Sequence, residues 1–86
     1  MTDAIKELLI KEYGFNDGFR IYTVVIPSIT KDFMQKLNSS LIGLPISEEY
    51  CFDDLKGSIT LYGIRLSNGN VKINSIKIND KLISYL

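Results

Sequence analysis

A chain of 86 residues, 45% of them hydrophobic, is long enough for one small globular domain (residues 1–86) and too apolar for a disordered tail. Ten basic and ten acidic residues cancel, which argues against a dedicated nucleic-acid-binding protein, because that affinity comes mainly from neutralising phosphates. The single cysteine excludes an internal disulfide, and the uncharged runs are too short to cross a bilayer. We therefore expect a soluble cytoplasmic protein without membrane attachment.

The first predicted element is a helix that Thr2 or Asp3 caps. Gly14 is a typical residue just beyond a helix end, and Phe15–Gly18 is rich in turn-forming residues, so we expect a turn there. The helix would bury one apolar stripe, which consists of Ile5, Leu8, Leu9 and Tyr13.

The next segment, Phe19–Ile26, is β-branched and aromatic, with apolar residues on both faces. Such a run favours a central strand covered on both sides, and Pro27 would end it. Thr30 is then the expected N-cap of a second helix, which Gly43 and Pro45 would stop. The buried stripe of this helix would be Phe33, Met34, Leu37 and Leu41.

The following segment, Ile46–Lys56, favours a short helix or turn, with a short strand at Tyr50–Phe52 as the alternative. After it, Asn68-Gly69 is a strong signal for a two-residue type I′ hairpin turn. Asn79-Asp80 permits a second turn, and Lys81–Leu86 would return as a last strand beside the hairpin.

The predicted hairpin changes its apolar face halfway along. A turn at Asn68-Gly69 pairs Ile59 with Ile78 and Leu61 with Ile76 on one face, whereas the residues nearer the turn occupy the other. The change falls where Gly63 faces Asn74, so either a bulge there joins both clusters to one core, or a helix covers each face, or the tip is exposed. The tip residues are Ile64, Leu66, Val71 and Ile73.

These elements predict an α+β fold, with two helices packed on a mostly antiparallel sheet. The expected order is helix, strand, helix, a short irregular or helical segment, and a three-stranded C-terminal meander.

The sequence contains few side chains suited to catalysis or metal binding. It contains no histidine, which removes the commonest general base and metal ligand, and one cysteine cannot build a thiolate metal site. We therefore expect no catalysis, no cofactor and no metal. The single thiol, Cys51, stands between two aromatic residues, which favours a buried, unreactive side chain.

Two sets of charged residues remain as candidates for binding a partner. Four carboxylates between positions 48 and 54 could form an acidic rim that meets a basic partner, or they could be solvated surface; they are Glu48, Glu49, Asp53 and Asp54. In the predicted register Arg65 faces Lys72, and together with Lys77 they could contact phosphates, although two splayed, solvated side chains explain the pair as well.

The favoured hypothesis is a non-catalytic protein-interaction module, a small inhibitor or regulator that binds a larger protein through Ile64, Leu66, Val71 and Ile73. The excess of Ile, Lys and Asn is typical of an AT-rich genome and compatible with a phage or mobile-element origin. One alternative is a homo-oligomeric accessory subunit, such as a homodimer that pairs through its last strand. The second is a weak nucleic-acid-binding β-module.

Overall fold

The computed structural model describes residues 3–51 and 57–84, in which helices pack on one face of a four-stranded antiparallel sheet of order β1-β2-β3-β4. The helical elements are α1 (Asp3–Tyr13), α2 (Phe15–Arg20), a π-helical turn (Ile21–Val25) and α3 (Ile26–Asn38). The strands are β1 (Ile46–Cys51), β2 (Ser58–Arg65), β3 (Val71–Ile78) and β4 (Lys81–Ser84). The predicted α+β class and C-terminal meander are confirmed.

The first helix forms where its apolar spacing predicts. Ile5 and Leu9 are buried, and Gly14 ends the helix with a φ of 90°. The proposed cap Thr2 lies outside the described residues. The turn expected at Phe15–Gly18 is wrong, because α2 begins directly after Gly14. Gly18 lies against the backbone of α1, where a Cβ would come within 2.6 Å of the Cα atom of Ile10.

The strand predicted at Phe19–Ile26 is also wrong, because the chain there is helical and continues to Asn38. A short apolar run does not by its periodicity separate a strand from a buried helix. Pro27 does not end the segment but reshapes it, since proline lacks an N–H and its ring would meet the carbonyl four residues earlier. The wider π-helical turn accommodates it: the Ile26 N–H donates to the Ile21 carbonyl, five residues back.

The second predicted helix therefore begins earlier than expected, and Thr30 lies inside α3 instead of capping it. Phe33 and Leu37 are fully buried as predicted, but Met34 is 39% exposed and Leu41 lies beyond the helix end. The helix packs closely on the sheet at Gly63. A Cβ on Gly63 would come within 2.9 Å of Leu37 Cδ1 and 3.0 Å of Phe33 Cε2.

The β2–β3 hairpin contains one extra residue in its turn. Gly69, with a φ of 87°, donates its N–H to the Leu66 carbonyl at 2.9 Å, and the Leu66 N–H donates to the Asn70 carbonyl at 2.7 Å. This leaves a three-residue loop (67–69) instead of the expected two-residue turn. The register beside the turn is shifted accordingly, so that Arg65 pairs with Val71.

A β-bulge restores the predicted register further from the turn. Tyr62 pairs with Ser75 but Gly63 pairs with Ile73, which leaves Asn74 as the extra residue on β3. The predicted pairs of Ile59 with Ile78 and Leu61 with Ile76 are confirmed. Of the alternatives for this hairpin, the structure contains the bulge.

The bulge places the apolar residues of β3 on one face, and the extra residue in the turn pairs them with the inward-facing residues of β2. Val71 and Ile73 join Ile76 and Ile78 beneath the helices, although the unbulged pattern would place the two pairs on opposite faces. On β2 the face does change, because Ile64 pairs with Lys72 on the outer side of the sheet. The buried apolar residues are Ile5, Leu9, Ile21, Ile29, Phe33, Leu37, Ile59, Leu61, Ile76 and Ile78.

The preference for a helix or turn at the start of Ile46–Lys56 is wrong, because Ile46–Cys51 is strand β1, paired antiparallel with β2. Residues 52–56 lie outside the described part of the chain. At the opposite edge, β4 follows the predicted Asn79-Asp80 turn, with Asn79 at a φ of 55°, and places Ile83 opposite Ile76.

Deletion of Asn74 should be tolerated, although a deletion within a strand ordinarily turns every following side chain to the opposite face. Without Asn74 the register beside the turn and the register of the core pairs become continuous. We expect a loss of about 1–2 kcal/mol in the free energy of unfolding, measured by urea denaturation.

The matched control is deletion of Thr60 on the neighbouring strand, which no bulge compensates. That change forces Ile59 or Leu61 out of the core, at a cost of about 2–5 kcal/mol, a large part of the stability of so small a domain. Equal damage from both deletions would contradict the compensation between turn and bulge.

Candidate interaction surface at the hairpin tip

The four tip residues predicted to bind a partner do not share one face. Ile64 is half-buried on the outer side of the sheet, and Leu66, just beyond β2, is 37% exposed. Val71 and Ile73 are half-buried and pack against the core beneath the helices. The expectation of a single four-residue patch is wrong, because the extra residue in the turn moves β3 by one position relative to β2.

A different apolar surface lies at the same end of the molecule. The loop between α3 and β1 runs beside the end of β2: Ile42 forms a parallel bridge with Arg65, and the Gly43 N–H donates to the Arg65 carbonyl at 2.8 Å. The large apolar side chains of this loop are exposed, at 73% for Leu41, 54% for Ile42 and 48% for Leu44. We call these three residues together with Leu66 the tip surface.

The sequence pattern does not predict most of the tip surface, because Leu41 continues the helical spacing of Phe33 and Leu37. The signal in the sequence for an exposed loop was the presence of Gly43 and Pro45 among these apolar residues. Apolar residues interleaved with a glycine and a proline cannot continue a helix, and so must lie in a connection on the surface.

Arg65 stands beside the tip surface, and its environment differs from the predicted one. It does not face Lys72, because it pairs with Val71 and occupies the face of the sheet that carries the helices. Its Nη1 donates to the Ser40 carbonyl at 3.2 Å, just past the end of α3. The Nε atom is buried and has no hydrogen-bond partner among the described residues.

The predicted nucleic-acid residues are therefore divided between two faces. Lys72 and Lys77 pair with Ile64 and Thr60 and lie on the outer side of the sheet, opposite to Arg65. The structure does not bring the three cations together.

The predicted acidic rim is divided as well. Glu48 points towards α3, where its carboxylate lies 2.9 Å from the Lys36 ammonium, and Glu49 points to the outer side of the sheet. Asp53 and Asp54 lie outside the described residues. The expectation of a buried Cys51 is wrong: it is exposed, because it lies on the outer face of the edge strand, which the helices leave uncovered.

A polar cluster joins α3 to β1 at this edge. The Tyr50 hydroxyl donates to Asp32 Oδ2 at 2.7 Å, and the Lys36 ammonium lies 3.4 Å from Asp32, 2.9 Å from Glu48 and 5.7 Å from the centre of the Tyr50 ring. The hydrogen bond from Tyr50 lowers the pKa of Asp32, the hydrogen bond to Glu48 raises that of Lys36, and burial raises the pKa of Tyr50. The cluster fixes the edge strand to the helix.

A second cluster joins α1 to the β3–β4 turn. Asn79 Nδ2 donates to Glu12 Oε1 at 3.2 Å, and the Tyr13 hydroxyl donates to Asn79 Oδ1 at 3.3 Å. The Lys81 ammonium lies 3.4 Å from Glu12 Oε2. The hydrogen bond from Asn79, assisted by Lys81, lowers the pKa of Glu12. Both clusters connect elements of the fold, so each has a structural role.

Neither cluster offers metal chemistry, since the described residues contain no group of three or more His, Cys, Asp and Glu side chains that could hold an ion. Within the same ranges no helix is long and apolar enough to span a membrane. A scan against protein-family models, a search of curated proteins and a search of solved structures found no match to this chain.

The variant Tyr50→Phe should lower stability by more at pH 7 than at pH 3. Because the pKa of Asp32 is lower in the folded protein than its ordinary value of 3.8, its contribution is present above that value and is lost as the pH falls through the folded pKa. Urea denaturation of both proteins at each pH measures the difference.

The matched control is Tyr62→Phe, which removes a hydroxyl that makes no hydrogen bond to the described part of the chain. Its effect on stability should be the same at both pH values. A difference between wild type and Tyr50→Phe that is the same at pH 7 and pH 3 would refute the role given to Asp32.

Proposed function

We propose that this protein is a non-catalytic protein-interaction module, a small inhibitor or regulator that binds a larger protein through the tip surface. The observation that carries this proposal is the exposure of Leu41, Ile42, Leu44 and Leu66 in two segments joined by backbone hydrogen bonding. Isolated exposed apolar side chains are ordinary, whereas a group of them at one place on a small monomer is typical of a protein interface.

The location of the surface supports the same function. Leu41, Ile42 and Leu44 lie in a connection whose position is fixed by the hydrogen bond from Gly43 to Arg65. Binding residues are often found on loops that a rigid scaffold holds in place, because such loops can vary without loss of the core. The absence of histidine from the sequence favours binding over catalysis.

The variant Leu41→Asp should abolish or strongly weaken partner binding while the fold survives. Leu41 is 73% exposed, so its replacement should change the free energy of unfolding by less than about 0.5 kcal/mol. A residue at the centre of an interface typically costs at least about tenfold in affinity when it is changed. Affinity capture from a cell extract, with quantification of each retained protein, measures the effect.

The control is Leu82→Asp, which places the same charge on an equally large apolar side chain, 61% exposed on β4. A protein retained by wild type and by Leu82→Asp, but not by Leu41→Asp, is the expected result. If Leu41→Asp retains every protein that wild type retains, the tip surface is not the interface.

A homo-oligomeric subunit is the second candidate, and it is favoured by β4. This strand pairs with β3 alone among the described strands, so its other edge can pair with a second copy, and Leu82 is exposed on it. Light scattering coupled to size exclusion should then show a dimer that Leu82→Asp dissociates and Leu41→Asp does not. A monomer at all concentrations would exclude this candidate.

A further inference from the structure

We propose that the occupant of the tip surface is an acidic, apolar segment of another protein, whose carboxylate pairs with Arg65 while its apolar side chains pack on Leu41, Ile42, Leu44 and Leu66. This inference rests on the proposed function and specifies the chemistry of the partner. It is carried by the charge around the tip surface and by the incomplete pairing of one arginine.

The hairpin that ends in the tip surface is basic within a chain of zero net charge. Residues 57–79 include Arg65, Lys72 and Lys77 and contain no Asp or Glu, and residues 39–47 carry no charged side chain. All ten acidic residues of the chain therefore lie in other segments. Lys72 and Lys77 point to the outer side of the sheet, so Arg65 is the cation that an acidic partner would meet on the helix-bearing side. Complementary charge speeds encounter and selects among partners.

Arg65 has hydrogen-bonding capacity that the described residues do not use. A guanidinium carries five N–H donors, and the bond from Nη1 to the Ser40 carbonyl accounts for one of them. No described carboxylate lies within ion-pair distance of it, although Lys36 and Lys81 each have such partners. The Nε atom is buried, which leaves the terminal nitrogens to meet an incoming carboxylate.

The apolar side chains of the tip surface distinguish between three possible ligands: a nucleic acid, a second copy of this chain, and an acidic, apolar protein segment. A nucleic acid would satisfy the cation through a phosphate but would leave the exposed loop of Leu41, Ile42 and Leu44 with little to cover it. A second copy that docked by its own tip surface would bring two Arg65 side chains together, because a two-fold interface joins identical patches. A segment with acidic and apolar side chains satisfies both parts of the surface.

The test begins with random 12-residue peptides displayed on phage and selected against the whole chain. We expect the enriched peptides to combine Asp or Glu with Leu, Ile or Phe. A synthetic copy of one enriched peptide, titrated into ¹⁵N-labelled protein, should shift the amide signals of Leu41, Ile42, Leu44 and Leu66. Its affinity should fall with rising salt, because the charge pair lies near the surface.

Two matched changes then isolate the charge pair. Arg65→Gln should weaken binding of the peptide about tenfold or more, whereas Lys77→Gln, with the same loss of charge on the outer face, should change it by less than about twofold. A peptide with Asn or Gln in place of its acidic residue should bind the wild-type protein more weakly by the same factor. On Arg65→Gln the altered and the original peptide should bind with equal affinity. This second change leaves the protein unaltered and so does not depend on how Arg65→Gln folds.

The two proposals fail in different ways. Enriched peptides that bind the tip surface without an acidic residue, and with equal affinity for Arg65→Gln, would refute the acidic partner and leave the interaction surface in place. Failure to enrich any peptide that shifts the four tip-surface signals would count against both. If no peptide is enriched and a single-stranded oligonucleotide shifts the same amide signals in a salt-dependent way, the acidic protein partner is refuted. The ligand of the tip surface would then be a nucleic acid.

Discussion

The register of the β2–β3 hairpin is the constraint on which the rest of the structure depends. One extra residue in the turn and one at the bulge shift the pairing and then restore it, so that Val71, Ile73, Ile76 and Ile78 all lie beneath the helices. The side-chain period of a strand is two, so without the bulge at Asn74 the first two of these residues would lie on the face opposite to the other two. The continuous apolar face that results is the surface against which α3 packs, with Gly63 allowing its close approach.

The helical layer meets a second constraint at Pro27. A regular helix would place its ring against the Thr23 carbonyl, and the π-helical turn just before it supplies the wider backbone that avoids this contact. The chain thus continues as a helix through a segment that contains a proline, and it keeps Ile21 and Ile29 in the core on either side. At the other end, Gly18 lets α2 lie directly on α1.

The tip surface follows from these constraints. Because α3 ends at Asn38, the chain must return to the sheet before β1 begins at Ile46, and the bond from Gly43 to the Arg65 carbonyl fixes its path. That path leaves Leu41, Ile42 and Leu44 outside the core. The same constraint turns Arg65 towards the end of α3, away from the lysines of the outer face. The apolar and cationic parts of the tip therefore come together through backbone pairing between the loop and the end of β2. No local pattern in the sequence predicts this pairing.

Local patterns in the sequence determined helix α1, its end at Gly14, the Asn79-Asp80 turn and the pairing of Ile59 and Leu61 with Ile78 and Ile76. Each depends on near neighbours or on a short hairpin, where spacing and turn chemistry suffice. Only the tertiary structure decided that Phe19–Ile26 is helical, that Ile46–Cys51 is a strand, and that Leu41 lies outside the core. Apolar spacing shows that a residue can be buried but not which distant element will cover it. The covering elements are settled only when the chain packs: α1 lies against the helical segment that follows Gly14, and β2 pairs with β1.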